Sequence, residues 1–233
     1  LAWRQAGAVC QTAWNITVMN FEPAREAMIS QQIRTCDVND AAVLECLARV
    51  PREHFVPDEF VTLAFSDTAI PLGHGQEMLC PVNEGRMLQA LNLDPEHRVL
   101  VIGTGSGFMT ACVARLADHV TAVEIFPDLH EYARDRLTDA RVHNVDLQQT
   151  DFSDLNPGHA FDRILVTGSM PLFDVRMAEW LEPDGQCIMI TGTAPAMCVE
   201  RVRRTADHYM REKLFETVVP PLLNVPAAEP FSF

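Results

Sequence analysis

Four consecutive apolar residues, Val99–Ile102, lead directly into three alternating glycines, Gly103, Gly105 and Gly107. A fully apolar run of this kind is typical of a parallel strand that is buried on both faces. Glycines placed directly after the strand let the backbone turn tightly and admit a ligand closer than any Cβ would allow. We therefore expect a strand, a tight loop and then a helix at about Phe108–Ala117, with a ligand bound at the loop.

Apolar runs and helical patterns continue to alternate after this point, which specifies a doubly wound, mostly parallel α/β sheet of the Rossmann-like class. A last strand at Met210–Val219 is predicted to be antiparallel, at or near the sheet edge. The other predicted elements are strands at Val120–Val123, Val145–Gln148, Phe161–Thr167 and Cys187–Thr191, and helices at Leu129–Leu137 and Ala178–Leu181.

Helical patterns also precede this core. Residues 21–49 predict two helices, the second capped by Asn39, and a further helix is predicted at about Val82–Leu91. Prolines and glycines punctuate residues 50–81, which predicts loops and short strands. We divide the chain into an upstream segment (1–18, with Met19 as the natural start), a helical and loop region (19–97), an α/β core (98–219) and an extended tail (220–233). We expect apolar residues such as Leu222 and Leu223 to pack the tail on the body.

Charge and cysteine usage limit the partners of the chain. The 32 acidic residues exceed the 18 basic ones, for a net charge of −14. An acidic surface repels phosphates, so we expect neither nucleic acid nor a membrane surface as a partner. We also expect a monomer. The seven cysteines include no C-x-x-C pair and no signal peptide is evident, which favours a reducing cytoplasm. No cysteine and histidine cluster has metal-ligand spacing, so we expect no metal.

Acidic residues follow the second and third predicted strands. Glu124 comes 21 residues after Gly103, where a carboxylate can accept hydrogen bonds from both hydroxyls of a ribose. Asp151 is placed to accept a hydrogen bond from an adenine amino group, and Phe152 to stack on the ring. The carboxyl ends of parallel strands meet in one crevice, so these residues predict a nucleoside-type cofactor. The G-x-G-x-G spacing favours S-adenosylmethionine over a dinucleotide, although Glu124 alone would also suit an NAD-dependent dehydrogenase.

The motifs resemble those of class I S-adenosylmethionine-dependent methyltransferases, and specifically the protein-L-isoaspartate O-methyltransferase family. Residues 50–57 are similar to the family block V-P-R-E-x-F-V-P, residues 64–76 to A-Y-x-D…P-I-G-x-G-Q, and residues 104–108 to T-G-S-G-Y. The resemblance covers residues 19 to about 193. It implies methyl transfer to the carboxylate of isoaspartyl residues in damaged proteins, a repair reaction. The residues expected to bind the cofactor are Gly103, Thr104, Gly105, Ser106, Gly107, Glu124, Ile125, Asp151, Phe152 and Thr167.

The sequence departs from the family motifs at the positions expected to bind the methyl acceptor, here called the acceptor side. In the family, G-Q is followed by T-I-S-x-P, with the serine at the reacting methyl and the substrate carboxylate. Here G-Q is followed by E-M-L-C-P, so Leu79 stands at the serine position. The neighbouring Cys80 is either a weak S–H donor or a small buried residue. Asp67 either orients the substrate amide or caps a turn, and Val101 stands where the family carries an acid.

These departures leave three functions open. The first is an isoaspartyl repair methyltransferase, with Leu79, Asp67 and Cys80 as the candidate catalytic positions. The second is a methyltransferase of the same fold that acts on another acceptor. The third is a cofactor-binding homologue without catalysis. Glu77 and Asp67 lie near the expected entrance and would repel an anionic acceptor.

Overall fold

A computed structural model describes residues 20–206 and 208–226 of the chain. The predictions that Met19 is the natural start and that residues 1–18 are upstream sequence lie outside the described residues. The last part of the predicted tail, residues 227–233, lies outside them as well.

The region before the sheet contains helices and one β-hairpin. Helix α1 (Glu22–Ala27) continues as a π-helical turn and a 3₁₀ turn to Cys36, and α2 (Ala41–Arg49) follows. The hairpin pairs β1 (Ile70–Gly73) with β2 (Gln76–Met78) in antiparallel fashion. Helix α3 (Pro81–Leu91) follows the hairpin directly, with proline in its first turn.

The predicted cap of the second helix was wrong by one residue. The Asp40 carboxylate accepts hydrogen bonds from the Ala42 and Val43 amides at 2.8 and 3.0 Å, so Asp40 is the N-cap of α2. Asn39 donates its own amide N–H to the Gln89 side chain at 2.7 Å. Asparagine and aspartate are about equally good caps, so the sequence alone does not decide between these adjacent residues.

The predicted doubly wound sheet is confirmed. Its strands are β3 (Arg98–Ile102), β4 (His119–Glu124), β5 (Val145–Gln149), β6 (Phe161–Met170), β7 (Leu181–Thr193), β8 (Ala196–Arg204) and β9 (Tyr209–Glu216). They lie in the order β5-β4-β3-β6-β7-β8-β9, and β3 to β7 are parallel to one another. The connecting helices are α4 (Phe108–Leu116), α5 (Pro127–Asp139) and α6 (Arg176–Glu179).

The C-terminal part of the sheet differs from the prediction in two places. Strand β8 was not predicted, and it pairs with β7 and β9 in antiparallel fashion. Its alternation is broken by Glu200, which is buried because it binds Arg211 of β9 at 2.6 Å. The helix predicted at Ala178–Leu181 begins and ends two residues earlier, because Leu181 already starts the long strand β7. The predicted antiparallel edge strand is confirmed as β9.

One hydrophobic cluster joins the N-terminal helices to the sheet. It includes Met28, Leu47 and Leu88 from the helices together with Val99 and Val101 from β3, all nearly inaccessible to solvent. The hairpin and the start of α3 are therefore fixed against the edge of the sheet where the parallel strands end.

Candidate functional site

A cleft of about 660 Å³ lies at the carboxyl ends of β3, β4 and β6. Its walls come from the loop after β3, the end of β4, the β1–β2 hairpin and residues 219–223. We call it the cleft. An adjoining cavity of about 280 Å³, here called the side cavity, shares Leu72, Glu77 and Leu79 with it.

The glycine loop after β3 takes a backbone conformation that only glycine adopts freely. Gly103, Gly105 and Gly107 have φ angles of +84°, +54° and +90°. A Cβ on Gly103 would lie 2.7 Å from the Thr167 hydroxyl oxygen, and one on Gly105 would lie 3.1 Å from Leu72. The loop is therefore packed between β6 and the hairpin, and the glycines keep the floor of the cleft open.

The carboxylate of Glu124 joins the glycine loop to the chain after β4. One of its oxygens accepts the Gly105 amide at 2.7 Å, and the other accepts the Phe126 amide at 3.1 Å. Glu124 is only 5% exposed and lines the cleft. Because a carboxylate oxygen can accept more than one hydrogen bond, Glu124 keeps the capacity to bind two ribose hydroxyls.

The chain after β5 forms the next wall of the cleft. Phe152 is buried, lines the cleft and packs edge-on against Trp180 at a centroid distance of 5.9 Å. Asp151 lies beside it without lining the cleft, and its oxygens accept the Ser153 amide at 2.7 Å and the Asn224 side-chain amide at 2.5 Å. Partial burial alone would raise the pKa of Asp151, but these hydrogen bonds lower it below the ordinary value.

The structure brings most of the predicted cofactor residues together. Gly103, Gly105, Glu124, Ile125, Phe152 and Thr167 line the cleft. Thr104 and Ser106 line the side cavity, while Gly107 and Asp151 line neither space. Of the acceptor-side positions, Leu79 lines both spaces, and Asp67 and Cys80 line neither.

A buried ion pair fixes the backbone at Leu79. Arg52 binds Glu84 at 2.9 Å, and the side chains of both residues are 1% exposed. The same guanidinium donates to the carbonyl oxygens of Leu79, at 2.7 Å, and of Ala64, at 2.5 Å. The Leu79 side chain is itself buried, so this predicted acceptor-side position holds an apolar group with no hydroxyl donor.

The turn of the β1–β2 hairpin packs against the start of α5. Gly73, His74 and Gly75 all have positive φ, so the turn is tight. The His74 ring stacks on Phe126 at a centroid distance of 4.1 Å and hydrogen-bonds Asp128 at 2.8 Å. The bond to His74 lowers the pKa of the Asp128 carboxyl. The hairpin therefore covers the glycine loop from the side opposite to the strands.

Asp67 and Cys80 both lie at the start of α3. The Asp67 carboxylate accepts the Val82 amide at 3.2 Å, so it satisfies one first-turn N–H group of α3 from a separate segment. Burial, with a smaller contribution from the negative charges of Asp67 and Glu84, raises the pKa of the Cys80 thiol to about 11. Cys80 is therefore a neutral thiol near pH 7.

Several residues of the cleft were not predicted as site residues. Leu72, Gln76 and Phe126 line it, as do Leu222 and Leu223 of the tail. Leu222 packs on the body as expected, at the cleft, whereas Leu223 borders the cleft but is exposed. Phe126 is an aromatic residue two positions after Glu124, the one local signal that could have indicated it.

Two further observations concern the described residues alone. No helix within residues 20–206 and 208–226 has the length and apolar character needed to span a membrane. The same residues contain no group of three or more histidine, cysteine, aspartate or glutamate side chains that could hold a metal ion.

The fold and the site together define a class of protein. A parallel sheet with a glycine loop after one strand, an acidic residue after the next and a cleft at their ends is a nucleotide-cofactor fold of the Rossmann-like type. A solved Plasmodium falciparum structure shares it, a candidate protein-L-isoaspartate O-methyltransferase in complex with S-adenosyl-L-homocysteine. The TM-score is 0.75 at 18% identity, over 88% of this chain and 98% of the other.

Sequence comparison identifies the family. The profile of the family Protein-L-isoaspartate(D-aspartate) O-methyltransferase (PCMT) matches residues 23–224. A protein-L-isoaspartate O-methyltransferase of Klebsiella pneumoniae is 36% identical over 201 residues, which cover 86% of this chain and 96% of the relative. One of Aeropyrum pernix is 37% identical over 223 residues, 91% of this chain and 86% of the relative. The chain belongs to the protein-L-isoaspartate O-methyltransferase family, so a dehydrogenase is not favoured.

Proposed function

We propose that this chain transfers a methyl group from S-adenosylmethionine to the carboxylate of isoaspartyl residues in damaged proteins, a repair reaction. The observation that carries the proposal is the family match over residues 23–224, which includes both the glycine loop and the hairpin. The name shared by the Klebsiella and Aeropyrum relatives supports it. These comparisons do not favour the two alternatives, a methyltransferase that acts on another acceptor and a cofactor-binding homologue without catalysis.

The residues of the cleft fit the proposed cofactor. Gly103 and Gly105 provide a floor on which added Cβ atoms would collide with Thr167 and Leu72. Glu124 would accept the ribose hydroxyls, while Phe152 and Ile125 would supply apolar contacts for the adenine. When bound, S-adenosylmethionine supplies an electrophilic methyl group on its sulfonium.

The protein itself has to orient the acceptor. A carboxylic acid with an ordinary pKa near 4 is already ionised at neutral pH, so the acceptor needs no strong general base. Holding two reactants in line contributes about 7–11 kcal/mol in well-oriented systems. Hydrogen-bond donors that fix the acceptor carboxylate are therefore the sensitive parts of the site.

Ser106 is the donor that we assign to the acceptor carboxylate in place of the family serine. Three hydroxyl groups line the side cavity beside Leu79. Thr104 donates to the Val123 carbonyl at 3.1 Å, and Thr167 donates to the carbonyl of Gly103. Ser106 accepts the Phe108 amide at 3.4 Å, and within the described residues its own O–H has no recorded acceptor. Asp67 and Cys80 stay predicted acceptor-side positions that contact the site through the start of α3.

The proposed partner is a protein or peptide that carries an isoaspartyl residue, and the proposed setting is the cytoplasm, with the enzyme as a monomer. Free thiols support a reducing compartment, because the cysteines of the described residues, Cys36, Cys46, Cys80, Cys112, Cys187 and Cys198, are unbridged. The charge of −14 supports the absence of nucleic-acid partners.

Transfer of a labelled methyl group to a pair of peptides tests the proposal. The peptides share one sequence and differ only in an isoaspartyl or a normal aspartyl linkage. We expect label on the isoaspartyl peptide alone, as a base-labile ester. Equal counts on both peptides, or none on either, would contradict the proposed acceptor.

A further inference from the structure

The chain after β9 returns to the cleft as an extended segment, residues 219–224, which we call the strap. Its backbone pairs with Ser169 near the end of β6. The Ser169 amide donates to the Pro220 carbonyl at 3.0 Å, and the Leu222 amide donates back to the Ser169 carbonyl at 2.9 Å. The Ser169 hydroxyl donates to the Val219 carbonyl at 3.1 Å. The strap is thus bonded to a sheet strand and has a defined position.

Two glycines make room for the strap. A Cβ on Gly168 would lie 2.7 Å from the Leu222 side chain, and one on Gly103 would lie 3.2 Å from it. Leu222 therefore packs directly on the glycine loop and on the end of β6, where it lines the cleft. From the hairpin side, the Gln76 side chain donates to the Pro221 carbonyl at 3.2 Å. The strap is a wall of the cleft that touches both the sheet and the hairpin.

The strap ends in a contact with Asp151. Asn224 has a φ of +54°, a left-handed conformation that asparagine tolerates better than most residues. From that position its side-chain amide donates to one Asp151 oxygen at 2.5 Å, while the Ser153 amide occupies the other. Both oxygens of the carboxylate are thereby held in place. Each oxygen can still accept a second hydrogen bond, so the carboxylate remains available to a ligand.

We propose that Asn224 is a positioning residue for the adenine end of the cofactor, because it holds the Asp151 carboxylate where it can accept the adenine amino group. The inference rests on the proposed function, since it takes the S-adenosyl group as the ligand. Asp151 accepts a hydrogen bond from the adenine amino group, and Asn224, in the strap, orients the Asp151 carboxylate. The strap in this way couples the C-terminal segment to cofactor recognition 73 residues away in sequence.

Calorimetric binding to the purified full chain tests the assignment without relying on activity. The two ligands are S-adenosylhomocysteine and its analogue with the adenine amino group removed. We expect the wild type to prefer the amino ligand about tenfold, the value of one hydrogen bond to a charged group. Asp151→Asn is expected to abolish most of this preference, because an amide can turn either its oxygen or its NH₂ to the base.

Two matched substitutions then address Asn224. Asn224→Gly tolerates the positive φ and removes the amide, and Asn224→Asp preserves the shape but places a second carboxylate against Asp151. We expect both to reduce the preference for the amino ligand to about threefold or less, with Asn224→Asp the more severe. Binding of the analogue without the amino group is expected to change far less, and thermal unfolding checks that each variant is folded.

The outcomes separate the two proposals. Equal weakening of both ligands by the Asn224 variants would overturn the positioning role, because it would indicate a merely structural contact. An unchanged preference in Asn224→Asp, with loss of preference in Asp151→Asn, would also overturn it. A wild type that binds both ligands equally would remove the premise that Asp151 reads the base. A wild type that binds neither would contradict the proposed function itself.

Discussion

The cofactor side of the cleft stands on the carboxyl ends of β3, β4 and β6, whereas the acceptor side stands on the β1–β2 hairpin and the start of α3. On the cofactor side, backbone amides bind one carboxylate, Glu124, from residues two or nineteen positions away. On the acceptor side, the Leu79 backbone is held by Arg52, which pairs with Glu84 across 32 residues. The first arrangement follows from a strand and its glycines, while the second depends on buried side chains from distant parts of the chain.

This difference matches where the chain departs from its family. The glycine loop resembles the family motif, whereas the buried Leu79 stands at the position predicted to correspond to the family serine. A site built from backbone tolerates few substitutions, because each glycine has a backbone conformation that would be strained for any other residue. A site built from side chains on a hairpin can be altered by single substitutions that leave the sheet intact.

The largest expected effect is on the acceptor-side framework. Arg52→Met leaves the fully buried Glu84 carboxylate without its cation, and burial raises the pKa of Glu84 while Arg52 opposes that rise. Breaking a buried pair in this way costs about 3–5 kcal/mol. We expect a loss of that order in the free energy of unfolding, measured by urea denaturation.

The double variant Arg52→Met/Glu84→Leu is the matched control. Replacing both partners by apolar residues removes the isolated charge, so it is expected to recover at least part of the lost stability. If the double variant is no more stable than the single one, the isolated Glu84 charge is not the cause of the loss.

The next effect concerns the cofactor side. Glu124→Ala removes the acceptor of two backbone amides and of the proposed ribose hydroxyls. Hydrogen bonds to charged groups contribute about 1.5–3 kcal/mol each, so we expect affinity for S-adenosylhomocysteine to fall about 100-fold. Glu124→Gln keeps one acceptor oxygen, so we expect its affinity for S-adenosylhomocysteine to lie between those of the wild type and Glu124→Ala. Calorimetric affinity for Glu124→Ala close to that of the wild type would show that the cofactor binds elsewhere.

A smaller effect is expected from restoring the family hydroxyl. Leu79→Ser returns a donor to the wall shared by the cleft and the side cavity. A well-placed donor is worth about 10²–10³ in rate, and we expect about tenfold in kcat/KM for an isoaspartyl peptide because the surroundings have diverged. Leu79→Ala controls for the cavity, since either substitution costs about 2–5 kcal/mol of stability. Equal rates for the two variants would mean that this position does not face the acceptor.

The last prediction is a pH profile of thiol reactivity rather than a variant. Because burial raises the pKa of Cys80 to about 11, its reactive thiolate is scarce at neutral pH. We expect alkylation of Cys80 by iodoacetamide, followed by peptide mass spectrometry, to accelerate about tenfold per pH unit between pH 8 and 10. A rate that levels off near pH 8.5 would indicate an ordinary, exposed thiol.

The sequence predicts the cofactor side of the cleft better than it predicts the acceptor side. The strand, its glycines and Glu124 are local signals, and their convergence follows from the rule that parallel strands end at one edge. The role of Asp67 at the start of α3 was open, because its partner, the Val82 amide, lies 15 residues away. Strand β8 escaped prediction since Glu200 interrupts its apolar alternation, and only the pairing with Arg211 explains why a charge lies there.

The strap is the clearest case of a structural feature that no local sequence pattern indicates. Pro220 to Asn224 have no periodicity, yet Pro220, Leu222 and Leu223 line the cleft and Asn224 binds Asp151. Leu222 fits there because Gly103 and Gly168 lack side chains, a complementarity between three separate parts of the chain. Local patterns cannot predict such contacts, which depend on the completed sheet.

A crystal structure with S-adenosylhomocysteine bound tests the division between the two sides most directly. We expect the ribose to bind Glu124, the adenine to lie between Phe152 and Asp151, and the sulfur to face Leu79 and Ser106. A ligand bound outside the cleft, or one whose sulfur faces away from Leu79, would contradict this division.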